Sequence, residues 1–151
     1  MENDMKKTIS LLTVAVIIIL TLTACFTKTE FPVELPTDSQ ELANLLEKNG
    51  YAIKKYTRED DLRDICKTFG ADSNGIGSVV VTARGNSPFN NVKMGYFFYF
   101  DLMNSAKSFY EIALEFSKTD YEFTEFVENF TVERNGTVVY YGCKDNWDLF
   151  K

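Results

Sequence analysis

The sequence predicts an α+β fold, a ferredoxin-like split β-α-β two-layer sandwich with an antiparallel sheet and helices on one face. An extra N-terminal helix and a C-terminal hairpin are added to that core. Three observations predict it. Apolar residues at helical spacing alternate with short β-branched and aromatic runs, in the order strand, helix, strand, strand, helix, strand. Tyr96-Phe97-Phe98-Tyr99-Phe100 is the most aromatic stretch of the chain and suits a strand. Asn135-Gly136 divides two short β runs, the strongest short-range hairpin signal.

The elements follow in chain order. Asp38 with Glu41 three residues later forms a capping-box pattern, and Leu42, Leu45 and Leu46 make the stripe of a helix that Gly50 stops. Tyr51 to Tyr56 reads as a strand. Thr57 with Asp60 resembles a second cap, before a helical face of Leu62, Ile65, Cys66 and Phe69. The segment from Gly70 to Gly77, rich in Gly, Asp, Asn and Ser, is a loop. Val79-Val80-Val81 marks a β-branched strand over Ser78 to Arg84, and Gly85 to Asn91, with Pro88, is a second loop. Val92 to Asp101 is the aromatic strand. Asn104 or Ser105 caps a helix with the stripe Ala106, Phe109, Tyr110, Ala113 and Phe116. Residues 119–130 fit two readings: Phe123, Phe126, Val127 and Phe130 keep helical spacing, while Tyr121 and Phe123 alternate. The hairpin spans Thr131 to Gly142, and Asp145 to Lys151 forms a last helical turn.

The N-terminus carries an address. Lys6 and Lys7 precede an apolar run from Ile9 to Leu20, followed by Leu22-Thr23-Ala24-Cys25. A basic start, an apolar centre of roughly 7–15 residues and a small-residue cleavage site make a secretory signal. Glu2 and Asp4 offset the two lysines, and translation from Met5 instead of Met1 gives a cleaner basic opening. A retained membrane anchor and simple secretion are the alternatives; the segment barely reaches the span of about 17 residues that a bilayer requires.

With this signal the chain resembles the small single-domain lipoproteins of Gram-positive, low-GC bacteria. The resemblance covers the lipobox-type signal peptide and the general layout, including Gly50-Tyr51 entering the first strand and the Val138 to Gly142 strand before a short tail. It implies cleavage after Ala24 and a diacylglyceryl thioether on Cys25, hence a membrane partner through that lipid and a place on the extracytoplasmic face of the cell membrane. It carries over no catalytic residue. The chain then divides into a signal peptide (1–24), the lipidated cysteine and a tether holding Pro32 and Pro36 (25–37), and one α+β domain (38–151).

Composition removes several functions. The signal peptide holds two acids and two bases, so the net charge stays at −6 without it. An acidic, exported chain disfavours nucleic acid, whose binding needs Lys and Arg against phosphate. Lys93 to Phe100 is a weak match to the aromatic central strand of RNA-recognition domains, and the charge argues against that use. The chain has no histidine, which excludes Ser-His-Asp and Cys-His catalysis and His-ligated metals. No cofactor motif is present. Cys66 and Cys143 remain as thiols, either paired outside the cytoplasm or free and buried.

Two patterns are left as candidate sites. Alternation along the aromatic strand sends Met94, Tyr96, Phe98 and Phe100 to one sheet face, and Gly95, Phe97 and Tyr99 to the other. If helices cover only the first set, Phe97 and Tyr99, beside Tyr140 or Tyr141, form an exposed patch suited to a protein partner or a homodimer. The other reading is core, covered by the hairpin, the N-terminal helix or segment 121–130. The second pattern is the acidic series Glu111, Glu115, Asp120, Glu122, Glu125 and Glu128, a solvated surface before it is a Ca²⁺ site. Asp72-Ser73-Asn74-Gly75 lacks the spacing of a Ca²⁺ loop and reads as a turn. The expectation is a lipid-anchored extracytoplasmic binding or interaction module, non-catalytic. A small carboxylate-dependent envelope hydrolase and a purely structural envelope lipoprotein are the alternatives.

Overall fold

The computed structural model describes residues 30–84 and 93–150. Leu22, Thr23, Ala24, Cys25, the Met1 or Met5 start and the loop around Pro88 lie outside them. The order is α1 (Ser39–Lys48), β1 (Ala52–Tyr56), α2 (Glu59–Thr68), β2 (Ile76–Arg84), β3 (Lys93–Phe100), α3 (Met103–Ser117), α4 (Tyr121–Phe126), β4 (Phe130–Asn135), β5 (Val138–Cys143) and α5 (Lys144–Trp147). The α+β class is correct, with a five-stranded, fully antiparallel open sheet and helices packed on it.

Asp38 caps α1 as expected: its Oδ1 accepts from the Gln40 and Glu41 amides at 2.7 and 3.0 Å. Those two bonds, Glu41 first, hold its carboxyl below the usual range. Thr57 does not cap α2; Glu59, Asp60 and Asp61 instead fill the first turn, where the helix dipole favours negative charge. Neither Asn104 nor Ser105 caps α3, which starts after Leu102. Segment 119–130 resolves into the short helix α4 and the entry to β4. The tight turn of the hairpin falls on Gly136-Thr137, one residue beyond the Asn-Gly pair, with Asn135 facing Val138 and Gly136 at φ +59°.

The strand order is β1-β2-β3-β5-β4, which corrects the split arrangement. A split unit would set the first strand inside the sheet, between the third and the last. Here β1 lies at one edge, beside β2 alone. Its sequence explains why: Lys54 and Lys55 suit an edge, where charge blocks further pairing, and would be costly in an interior strand. At the other edge β4 carries Glu133 and Arg134.

The two-layer expectation is also corrected, because helices cover both faces. On one face α2 and α3 pack Leu62, Cys66, Phe69, Ala106, Phe109 and Ala113 against Val79, Phe98, Phe100, Val139 and Tyr141. These are the two main helices expected to share a face. On the other face α1 packs Leu42, Ala43 and Leu46 against Val80, Phe97, Tyr99, Val138 and Tyr140. Every residue of β5 is buried, and a strand apolar on both sides needs cover on both sides.

That second face holds a close approach. Gly95 and Gly142 face each other across β3 and β5. A Cβ on Gly95 would strike the Tyr140 hydroxyl and ring, and one on Gly142 would strike the Gly95 Cα. The two bare backbones let the Tyr140 ring lie over them, with its hydroxyl donating to the Cys143 carbonyl at 2.7 Å.

The segment expected to be a free tether up to Thr37 is docked from Phe31 onward. The Val33 amide donates to the Leu149 carbonyl at 3.0 Å, and Val33 bridges Phe150 in parallel. Phe31 meets the Phe150 ring edge-on, Leu35 is buried, and the Pro36 carbonyl accepts from the Tyr99 hydroxyl at 3.0 Å. Phe31, Val33 and Leu35 alternate with Pro32, Glu34 and Pro36, a period of two with its apolar side on the domain. This strap ties the beginning of the domain to its end.

Lys93 on β3 pairs with Asp145 on α5 at 2.5 Å. The Lys93 hydrogen bond depresses the Asp145 carboxyl, and the same bond raises Lys93. A depressed carboxyl stabilises the fold above its unfolded pKa of about 3.9, and that contribution is lost as pH falls through the lower folded value. The raised lysine acts in the opposite sense, its contribution disappearing as pH rises through its folded pKa. Both groups are partly exposed, so the pair contributes about 1 kcal/mol or less. Urea midpoints of Asp145→Asn and the parent should differ slightly at pH 7 and converge near pH 2. A gap that persists at pH 2 would refute the ion-pair origin.

Candidate functional site

Of the two readings of Phe97, Tyr99 and Tyr140, exposed patch or core, the structure bears out core, with the N-terminal helix over them. Phe97 and Tyr140 are fully buried and Tyr99 is 7% exposed, because α1, the strap and Trp147 of α5 lie over them. The Trp147 ring stacks on Tyr140 at 5.6 Å and on Phe97 at 6.4 Å. Tyr141 is buried as well, but alternation turns it to the opposite face. Phe97, Tyr99 and Tyr140 therefore belong together as core, apart from Tyr141.

Tyr141 instead forms the floor of a half-open pocket of about 270 Å³. Its walls come from four elements. The C-terminal end of α2 gives Ile65, Thr68 and Phe69, and the end of α3 gives Phe116. Tyr96 enters from β3 and Phe123 from α4, with Asp120 on the link between α3 and α4. Phe69 stands edge-on to Tyr141 at 4.9 Å, and Phe123 stacks on it at 5.5 Å. Tyr96 lies 5.8 Å from Phe123. Edge-on and offset contacts of this kind hold aromatic rings in fixed relation.

One polar pair is set into this apolar lining. The Tyr141 hydroxyl donates to Asp120 Oδ2 at 2.9 Å. Burial first, then the Asp120 carboxylate, push the Tyr141 phenol far above its ordinary value, and burial likewise raises Tyr96. Both phenols are therefore neutral hydroxyls at any physiological pH. Among the described residues no Lys or Arg forms an ion pair with Asp120; the four ion pairs there are Arg63–Asp60, Lys93–Asp145, Lys118–Glu115 and Lys144–Asp148.

The acidic series disperses. Only Asp120 enters this pocket, and Glu111 and Glu115 edge a shallower groove along α3. Among the described residues no three acids or thiols gather in a way that could hold a metal ion. Asp72 Oδ1 accepts from the Asn74 amide at 2.9 Å, a turn as read. Among the described residues two carboxyls are displaced, Asp38 and Asp145, both downward, which suits fixed anions and not proton donors. Cys66 and Cys143 are free and buried, and burial pushes the Cys66 thiol up to about 11, away from nucleophilic use.

The pocket residues each had a local signal, but not a joint one. Phe69 and Phe116 sit on helical stripes and Tyr96 in the helix-facing set of the aromatic strand. No spacing links positions 69, 96, 120 and 141; the crossing of α2, α3 and β5 brings them together. Among the described residues no helix is long and apolar enough to cross a membrane. Comparison with protein families, curated proteins and solved structures finds no match to this chain.

Proposed function

We propose that this chain is a lipid-anchored extracytoplasmic binding protein, non-catalytic, that takes a small ligand in the pocket around Asp120 and Tyr141. The observation that carries the binding part is the pocket itself: five aromatic rings around one carboxylate, open to solvent on one side. Binding sites for small molecules are commonly apolar clefts with a few placed polar groups. The anchoring part rests on Leu22-Thr23-Ala24-Cys25 after the apolar run. It makes Cys25 the attachment point to the cell membrane. The burial of Phe97, Tyr99 and Tyr140 removes the support for a binding or self-association surface on that sheet face.

Two measurements test the reading. Mass spectrometry of the membrane fraction should find an N-terminal peptide beginning at a diacylglyceryl-modified Cys25, and Cys25→Ser should abolish that modification. An unmodified Cys25 inside an uncleaved chain would sink the anchor. For the pocket, a fluorescent apolar probe should be displaced by small aromatic molecules in the parent and retained poorly by Phe123→Ala. Equal retention by both proteins would place binding elsewhere.

A further inference from the structure

We infer that the ligand of this pocket is a compact organic cation, an amine or quaternary ammonium group on a small apolar body. The inference rests on the binding role proposed for the pocket and names the ligand class. Three features of the site select charge and size.

The first is the carboxylate. Asp120 gives one oxygen to the Tyr141 hydroxyl, and among the described residues its other oxygen accepts no hydrogen bond and meets no basic side chain. An anion set beside apolar walls gains most from a partner of opposite charge, since the lower local dielectric strengthens the attraction. An anionic ligand would meet Asp120 with no lysine or arginine in the lining to offset it. A neutral apolar ligand would cover the carboxylate and leave its free oxygen without a partner, at a cost of the kind that governs buried polar groups.

The second is the rings. An aromatic ring carries the negative part of its quadrupole on its face, and a ring face open to the pocket attracts a cation within about 6 Å, more so when water is excluded. Tyr96 to Phe123 and Phe123 to Tyr141 are 5.8 and 5.5 Å, so the three rings form a continuous wall next to Asp120. Aromatic walls beside one carboxylate suit ammonium recognition: a weakly hydrated quaternary group loses little on leaving water, and a protonated amine regains a charge-assisted hydrogen bond to the carboxylate. The Tyr141 hydroxyl, already committed as a donor to Asp120, holds the carboxylate in place instead of competing for the ligand.

The third is scale and field. About 270 Å³ lies at the low end of small-molecule pockets, so the ligand is small. The net charge of −6 draws cations toward the protein and repels anions.

The test uses the full chain in nonionic detergent and three probes built on the same benzyl group, measured by calorimetry: benzyltrimethylammonium, benzyl alcohol and phenylacetate. Benzyltrimethylammonium should bind at least tenfold more tightly than either of the others. Asp120→Asn should weaken it about tenfold while leaving benzyl alcohol unchanged, and Phe123→Ala should weaken it with the unfolding midpoint showing an intact fold. Phosphocholine as a fourth probe separates sources: affinity equal to the simple ammonium points to a lipid headgroup, and weaker affinity to a free cation. Phenylacetate or benzyl alcohol binding as well as the ammonium, or an Asp120→Asn variant that binds it unchanged, would overturn the cation assignment while leaving the pocket a binding site. Failure of all the probes to bind would overturn the binding role itself.

Discussion

Gly95→Ala should leave the protein unfolded or barely folded, with a loss of about 3 kcal/mol or more in urea denaturation. Overpacking a core costs typically about 1–3 kcal/mol when side chains can shift. Here they cannot shift freely. The new methyl would meet the Tyr140 ring and hydroxyl, and that ring is fixed by Phe97 at 4.5 Å, Trp147 at 5.6 Å and its bond to the Cys143 carbonyl. A loss of that size is a large share of the roughly 5–15 kcal/mol that holds a domain folded. Gly50→Ala is the control. Its φ of +84° is unfavourable for alanine, but no atom lies within 4 Å of the added methyl, so it should cost only about 1–2 kcal/mol. If Gly95→Ala proves as mild as Gly50→Ala, the Tyr140 ring does not lie over the glycine pair.

Phe97→Ser should destabilise the protein by about 3–5 kcal/mol, as the removal of a buried phenylalanine side chain does. The serine hydroxyl adds a further cost, since the side chains around it offer few partners in that layer. Phe126→Ser, at a position 56% exposed, should stay within about 0.5 kcal/mol of the parent. Thermal melts followed by circular dichroism will separate the two. A Phe97→Ser protein with the parent's midpoint would restore the sheet face as an open surface. Loss of partner capture in this variant reports loss of the fold and says nothing about an interface.

Much of the secondary structure was legible because it rests on local chemistry. The Asp38 cap, the stripe Leu62-Ile65-Cys66-Phe69 and the alternation of Tyr96 and Phe98 against Phe97 and Tyr99 all follow from neighbours within a few residues. The sequence misleads where a choice depends on distant partners. Whether Phe97 faces water or α1 is decided by the docking of an element fifty residues earlier. The edge position of β1 has a local signal in Lys54-Lys55, whereas the order of elements alone points to an interior place. The strap had a period of two in Phe31, Val33 and Leu35, but two prolines beside them gave the look of a linker. The pocket was the least legible, since Asp120 has no sequence relation to Tyr141 or Tyr96 and acquires its setting only from packing.

The strap changes the standing height of the domain. On the lipid-anchored reading, a tether running to Thr37 would let the domain wander tens of ångströms from the bilayer. With docking from Phe31, only residues 26–30 separate Cys25 from the folded body, a reach of about 17 Å even when fully extended. That is about two Debye lengths at physiological salt, each near 8 Å. On the same reading, only the closest approaches, within about one Debye length, would set a body of net charge −6 against the anionic headgroups, and repulsion would disfavour them. On the lipid-anchored reading the short leash would thus act as a compass, narrowing the orientations open to the folded body.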